Sequence, residues 1–448
     1  MSAFPISEST PVAHNASLPD KVDLVVIGGG VIGTCTALFA VRKGLHVALI
    51  EKGRIAGEQS SRNWGWIRQQ GRDPHELPIM IEANRLWRDL APLTNQDIGL
   101  QRVGVTYLAR TDSEMADYAL WLRIARAHDL DTELLDRAAL ARRFPELAGG
   151  SYAGALVTPS DMKAEPWVAV PALARIAARE GVHIVENCAA RALDLSAGQV
   201  AGVVTEKGRI RTEQVVLAAG AWSSLFLRRH GVSLPQLSVR ASVAATEPLI
   251  APHGGAAADS DFAFRPRADG GLTLAPGGFH ELFLGPDAFR ALPKFLPQLK
   301  TDPFGTRYLP AAPRGYPDAW STPRRWAEDT PSPFEAIRVL NPAPNRKKLD
   351  QVARAYTRLF PQAGPVRLRA AWAGMIDTLP DVVPVVDRTP LPGLIVATGM
   401  SGHGFGIGPG FGRVLADLVT GDDPGHDLSR FRFDRFTDGS KIDLGPAL

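Results

Sequence analysis

Three observations predict an α/β fold in which a parallel-sheet unit of Rossmann-like type is interrupted by pieces of an α+β unit with a mostly antiparallel sheet. The first is a strand, glycine turn, helix and strand within about thirty residues, from Val22 to Ile50. The second is the return of α/β signals in two distant blocks, around 166–220 and 366–421. The third is a change of texture between the blocks, where amphipathic helices and alternating strands replace buried apolar runs.

Val22 to Ile27 is a β-branched run that meets Gly28-Gly29-Gly30, Val31 to Lys43 is helical and stopped by Gly44, and Leu45 to Ile50 is a second apolar run. Such continuous runs suit strands buried on both faces. Thr111 to Phe144 reads as amphipathic helices. Pro166 to Glu180 carries Val170, Leu173, Ala174 and Ala177 on one stripe, with Gly181 past its end. Strand signals follow at His183–Glu186, Arg191–Leu195, Gln199–Thr205 and Gln214–Ala219. Leu237 to Pro276 alternates, with a turn at Asp269-Gly270-Gly271. Thr301 to Pro344, rich in Pro and Arg with Tyr308, Tyr316, Trp320 and Trp326, is too long and irregular for a connector, a texture typical of lids and binding surfaces. Strand-like Val366–Trp372 and Leu394–Thr398, a Gly-rich turn and a helix over Gly404–Thr420 close the chain. The domain reading is a flexible tail over 1–20, the parallel-sheet unit from 21–90, 150–236 and 366–435, the second unit from 91–149 and 237–365, and a C-terminal tail over 436–448.

With 45% hydrophobic and 22% charged residues, the composition is that of a globular chain. A net charge of +3 without a basic tract interleaved with aromatics argues against nucleic acid as a partner. Cys35 and Cys188 belong to no CxxC or Cys/His cluster, so neither a metal site nor a disulfide framework is expected, and a reducing cytoplasm is the natural compartment. No eighteen apolar residues run together, so no transmembrane segment is expected; peripheral attachment to the inner face of a membrane stays open.

Gly28-x-Gly30-x-x-Gly33 follows a strand and opens a helix. Gly28 permits the tight turn, Gly30 lets a pyrophosphate approach the backbone, and Gly33 lets the helix lie close to the sheet, with Val31 and Ile32 at the positive helix start. Glu51 ends the second strand 18 residues after Gly33, where a carboxylate accepts from a ribose diol, and Lys52 follows it.

After Glu51 the chain departs into Ser60-Ser61-Arg62-Asn63-Trp64-Gly65-Trp66-Ile67-Arg68 instead of completing a second βαβ half. This loop and the fingerprint occur with Val216-Leu217-Ala218-Ala219-Gly220-Ala221-Trp222-Ser223 and with Gly399-Met400-Ser401-Gly402-His403-Gly404-Phe405-Gly406. Together they resemble the FAD-dependent amine and amino-acid oxidoreductases, the family of monomeric sarcosine oxidase, glycine oxidase and the D-amino-acid dehydrogenases. The resemblance runs from Val22 to about Gly421. It implies FAD, with contacts from the Ser60–Gly65 loop, Ala190, Ala219, Gly220, Trp222, Gly374, Met375 and the turn at Gly402, His403, Gly404, Phe405 and Gly406, whose N–H groups would face the charge of a reduced flavin. It also implies hydride transfer from a small amine or amino acid to flavin N5, the imine then being hydrolysed, with positioning as the main catalytic device. Arg68 matches the family's carboxylate-binding arginine. Trp64 and Trp66 flank it, as an apolar wall or a cation–π clamp, and His403 either touches the ring or supports the turn.

The chain also departs from its relatives. Met375 stands where sarcosine oxidase carries the cysteine that tethers FAD, so non-covalent FAD is expected. Gly406 replaces a lysine that grips the substrate carboxylate. Thr273 replaces the oxygen-activating lysine of the oxidases, with Arg265 and Arg267 near enough in sequence to supply a charge. That difference favours a dehydrogenase passing electrons to a quinone or another carrier over an oxidase using oxygen. The rival readings are a flavin dehydrogenase of a 2-hydroxyacid, an FAD-binding subunit of a larger electron-transfer complex, and a plain NAD-binding protein. A homo-oligomer and a partner subunit both stay open.

Overall fold

A computed structural model describes residues 5–147, 151–301 and 305–445. The domain boundary expected at 149/150 lies outside the described residues. A six-stranded sheet runs in the order Val385–Arg388, Leu394–Thr398, Val215–Leu217, Leu24–Ile27, Val47–Ile50, His183–Val185. The last five are mutually parallel, and the first is an antiparallel edge. Every residue of Leu24–Ile27 and Val47–Ile50 is buried because both faces are covered. Leu24, Val26, Val47 and Leu49 pack against helices Val31–Arg42, Pro166–Arg179 and Gly404–Thr420. Val25, Ile27, Ala48 and Ile50 face the antiparallel strands Ala190–Ser196, Gln199–Thr205 and Gly208–Arg211 with Trp222 and Phe226. Removing each such aliphatic side chain from water contributes about 1.5–3 kcal/mol.

The second unit is a ten-stranded, mostly antiparallel sheet centred on Leu237–Thr246. Two regions that the sequence reading grouped with the nucleotide-binding unit belong to this sheet instead. Gly154–Thr158 pairs with Val105–Ala109, and Leu368–Thr378 pairs along almost all of Leu237–Thr246. The chain therefore crosses into the parallel-sheet unit later than composition suggests in both the 150–236 and the 366–435 blocks, since strand alternation looks the same in either sheet. A further strand, Glu133–Asp136, separates helices Asp112–Ala127 and Arg137–Arg143, and its polar Glu-Leu-Leu-Asp sequence hides it. Helix Pro286–Thr301 was likewise disguised, by Pro293 and Pro297.

The described part of the N-terminal stretch is not a flexible tail. Ile6 is buried, Glu186 accepts from the Ala13 and His14 amides at 2.6 and 2.8 Å, and the carbonyls of Ile6 and Glu8 accept from Arg62 and Arg54 at 3.0 and 2.9 Å. Backbone polar groups anchor this arm, and side-chain hydrophobicity gives no sign of it. Among the described residues, no helix is long and apolar enough to cross a membrane.

Candidate active site

A crevice opens along the carboxyl ends of the parallel strands, as expected for ligands of such sheets. Gly28 turns the chain there with φ +112°, and a Cβ at this position would run into the Ala218 carbonyl. A Cβ on Gly33 would strike the Gly28 carbonyl oxygen, so this glycine sets the distance between helix and strand. Ser60 Oγ accepts from the Val31 amide at 2.8 Å and ties the loop to the helix start.

Glu51 is fixed by two N–H donors, Gly29 and Gly53, each at 2.7 Å. Burial pushes its carboxyl up to about 7, against the pull of Lys52 and both amides. A ribose diol donating to the carboxylate would favour the ionised form, so nucleotide binding and proton release are coupled. We expect affinity for FAD to fall as pH drops below about 7, by up to about tenfold per pH unit, and to level off above it. Flavin fluorescence titrations from acid to neutral pH would measure the slope; Glu51→Gln should bind weakly with no such slope.

Cys188, Ala190, Ala219, Gly220, Met375, Gly402, Gly404 and Phe405 all line the crevice. Gly30, Val31, Ile32, Lys52, Ser60, Asn63 and Trp222 also line it. Lys52 Nζ donates to Glu58 at 2.7 Å and lies 4.4 Å from the Trp222 ring centroid, while Trp222 Nε1 also donates to Glu58 at 3.1 Å. Glu58 thus organises two nominated residues, yet no motif marked it. Asp377 is a second residue that sequence reasoning missed. It accepts from the Gly399 and Met400 amides at 2.6 and 3.2 Å and shapes the terminal turn, while burial raises its carboxyl against those two bonds.

Several nominated residues stand behind the wall. Arg62 is buried with its guanidinium spent on the carbonyls of Ile6, Gly57 and Ala373 and on Asn341, so it holds the loop instead of a cofactor. Ser61 bonds Glu58 O at 3.3 Å, Gly65 packs on the Ala164 carbonyl and Arg265, and Gly374 backs onto Gln59. A Cβ on Gly406 would meet Ile67 Cα and the Trp66 carbonyl at 3.3 and 3.4 Å, which leaves little room for a lysine there. Arg265 is neutralised by Glu165 through two bonds of 2.8 and 2.9 Å, and Arg267 pairs with Asp269, so neither supplies a free charge near Thr273.

These glycines, the fixed carboxylate and the five strand ends suit a dinucleotide, and the sequence profile described as "DAO: FAD dependent oxidoreductase" matches residues 23–418. The chain belongs to this family. As a member of the FAD-dependent oxidoreductases it is an enzyme that uses FAD, and the glycine turn at Gly28–Gly33 with the fixed Glu51 carboxylate fits that cofactor's nucleotide half. It is 26% identical to sarcosine oxidase subunit beta of Rhizobium meliloti over 434 residues, 94% of this chain and 90% of that one. It is 27% identical to D-amino acid dehydrogenase of Paramagnetospirillum magneticum, over 92% of this chain and 99% of the relative. The solved L-amino acid deaminase from Proteus myxofaciens, in complex with anthranilate, superposes with a TM-score of 0.90 at 28% identity, covering 98% of both chains.

Beside the Gly402–Phe405 turn lies a buried polar loop. His403 Nδ1 is 3.1 Å from Glu76, whose side chain is wholly buried. Burial and the neighbouring Arg72 bring His403 down to about 4, so the imidazole is neutral and its Nδ1–H donates to Glu76. Burial opposes ionisation of Glu76, but His403 and Arg72 hold its carboxyl below the usual range. Trp64 and Trp66 meet edge to face at 5.2 Å, and Tyr107 touches both Trp66 and the Arg68 guanidinium, at 6.4 and 5.2 Å. Trp66 Nε1, Gln70 Nε2 and Arg72 Nη1 are buried without a hydrogen-bond partner among the described residues. These three donors fall on one seven-residue stretch, behind the lining of the crevice.

Proposed function

We propose that the chain oxidises the C–N bond of a small amine that carries a carboxylate. The observation that carries this reading is the set of unpaired buried donors on Trp66, Gln70 and Arg72 beside Arg68. Leaving such donors unmet costs about 1–3 kcal/mol each, and a carboxylate would satisfy them. In this reading Arg68 and Arg72 grip the carboxylate, Trp64 and Trp66 exclude water, and the substrate amine binds in its neutral form, so positioning does most of the work. Bound FAD supplies the hydride acceptor. Met375, lining the crevice where a tethering cysteine would stand, supports non-covalent FAD; Cys188 also lines it, with its thiol pushed up by burial. Paired Arg265 and Arg267 favour a dehydrogenase using a quinone or another carrier. The buried free thiols Cys35 and Cys188 are in keeping with the cytoplasm.

One observation favours a second reading. A histidine held by a glutamate beside two arginines is the arrangement needed to remove the proton of a 2-hydroxyacid hydroxyl. Anaerobic mixing of the yellow protein with amino acids, simple amines and 2-hydroxyacids separates the cases through loss of the visible flavin band. Bleaching by amino acids is expected; bleaching by hydroxyacids alone would replace the first reading with the second.

A further inference from the structure

We infer that helix Pro286–Thr301 and the described stretch 305–325 form a docking face for an anionic lipid bilayer. Phe289, Leu292 and Leu296, spaced three and four apart, form one exposed stripe, with 59%, 44% and 45% of their surfaces open. The adjoining side of the helix, Ala288, Ala291 and Phe295, is buried on Leu237. Trp320, 60% exposed, packs its ring 5.9 Å from Phe289 while its Nε1 donates to the Leu284 carbonyl at 3.1 Å, so the ring edge is fixed and extends the apolar stripe.

Charge follows the same segment. From Pro286 to Arg325 there are seven basic and three acidic residues, a net +4 in a chain whose total is +3. Asp287 and Asp318 are committed to Arg228, Arg290 and Arg324. Exposed Lys294, Lys300, Arg307, Arg314 and Arg325 form no ion pair with a described residue. A second copy docking through this face would press like charge on like charge. An anionic bilayer instead accepts leucine and aromatic side chains at headgroup depth while lysine stems reach to the phosphates. Sixteen residues are too few to span, so the helix would lie in the membrane plane. Arg228, on the helix that follows the Gly220–Trp222 wall of the crevice, holds Asp287 in the first turn of this helix and joins the docking face to the cofactor site.

Flotation of the FAD-loaded full chain with vesicles of phosphatidylcholine alone, or mixed equally with phosphatidylglycerol, tests the proposal. Binding to the mixed vesicles that weakens with salt is expected, with partition reduced at least about tenfold in Leu292→Ser/Leu296→Ser and measurably reduced in Lys300→Glu, which flanks the stripe. Retained yellow colour would show that both variants are folded and loaded. No binding to the anionic vesicles, equal binding to both lipids, or binding untouched by either variant would overturn it. So would a wild-type dimer that Leu292→Ser/Leu296→Ser converts to monomer, since the face would then belong to a second copy.

Discussion

Gly33→Val yields a colourless protein. The added side chain collides with the Gly28 carbonyl oxygen and presses on Val26, so the first helix must lift from the sheet just where the crevice floor is made. Overpacking of this kind costs roughly 1–3 kcal/mol even where neighbours can adjust. Here the neighbour is backbone, so the upper end applies and FAD affinity should fall by at least about a hundredfold. The ratio of flavin to protein absorbance after purification, with circular dichroism to show that the fold persists, measures it. Gly254→Ala, away from the crevice, is the control: an added Cβ there would meet nothing within 4 Å, and binding should be unchanged.

Arg72→Leu has the second large effect, and it should move activity and stability in opposite directions. Burial, reinforced by Arg68, brings this guanidinium down to about 9. The unfolded chain therefore holds the proton more tightly than the folded one. The resulting cost is fully present at neutral pH and is relieved only as pH rises above about 9. Replacing the buried, partly unpaired charge by leucine should leave the melting temperature unchanged or higher. Loss of a charge-assisted, desolvated contact to a carboxylate should lower kcat/KM by on the order of a hundredfold or more. Simple amines without a carboxylate should be affected little. Steady-state assays on matched substrates with and without the carboxylate, run beside thermal melts, check both halves. An equal loss on the two substrates would remove Arg72 from the substrate site.

What could be read in advance follows the range of the forces involved. The fingerprint and Glu51 were legible because a turn, a helix start and a strand end impose steric demands within a few residues, and only glycine meets them at Gly28. Arg62 misled for the opposite reason. It sits inside the motif, but its partners Ile6, Asn341 and Ala373 are far along the chain, and only folding shows that its donors are consumed. Gln70 and Arg72 look like a solvated loop in the sequence; the structure buries them, and burial is what turns them into candidates. Glu58 and Asp377 owe their placement to tertiary contacts with Trp222 and the Gly399 turn, a kind of information that local pattern does not carry.

The order in which the crevice walls occur along the chain affects biosynthesis. Residues near 28 build one side early, yet Met375 and the turn at 399–405 follow about 350 residues or more later along the chain. A nascent chain has no closed berth for the coenzyme before then, so loading must wait for that late stretch to be made. Messages cut short would yield pale, unloaded fragments, and cells starved of riboflavin would accumulate full-length protein waiting to be charged.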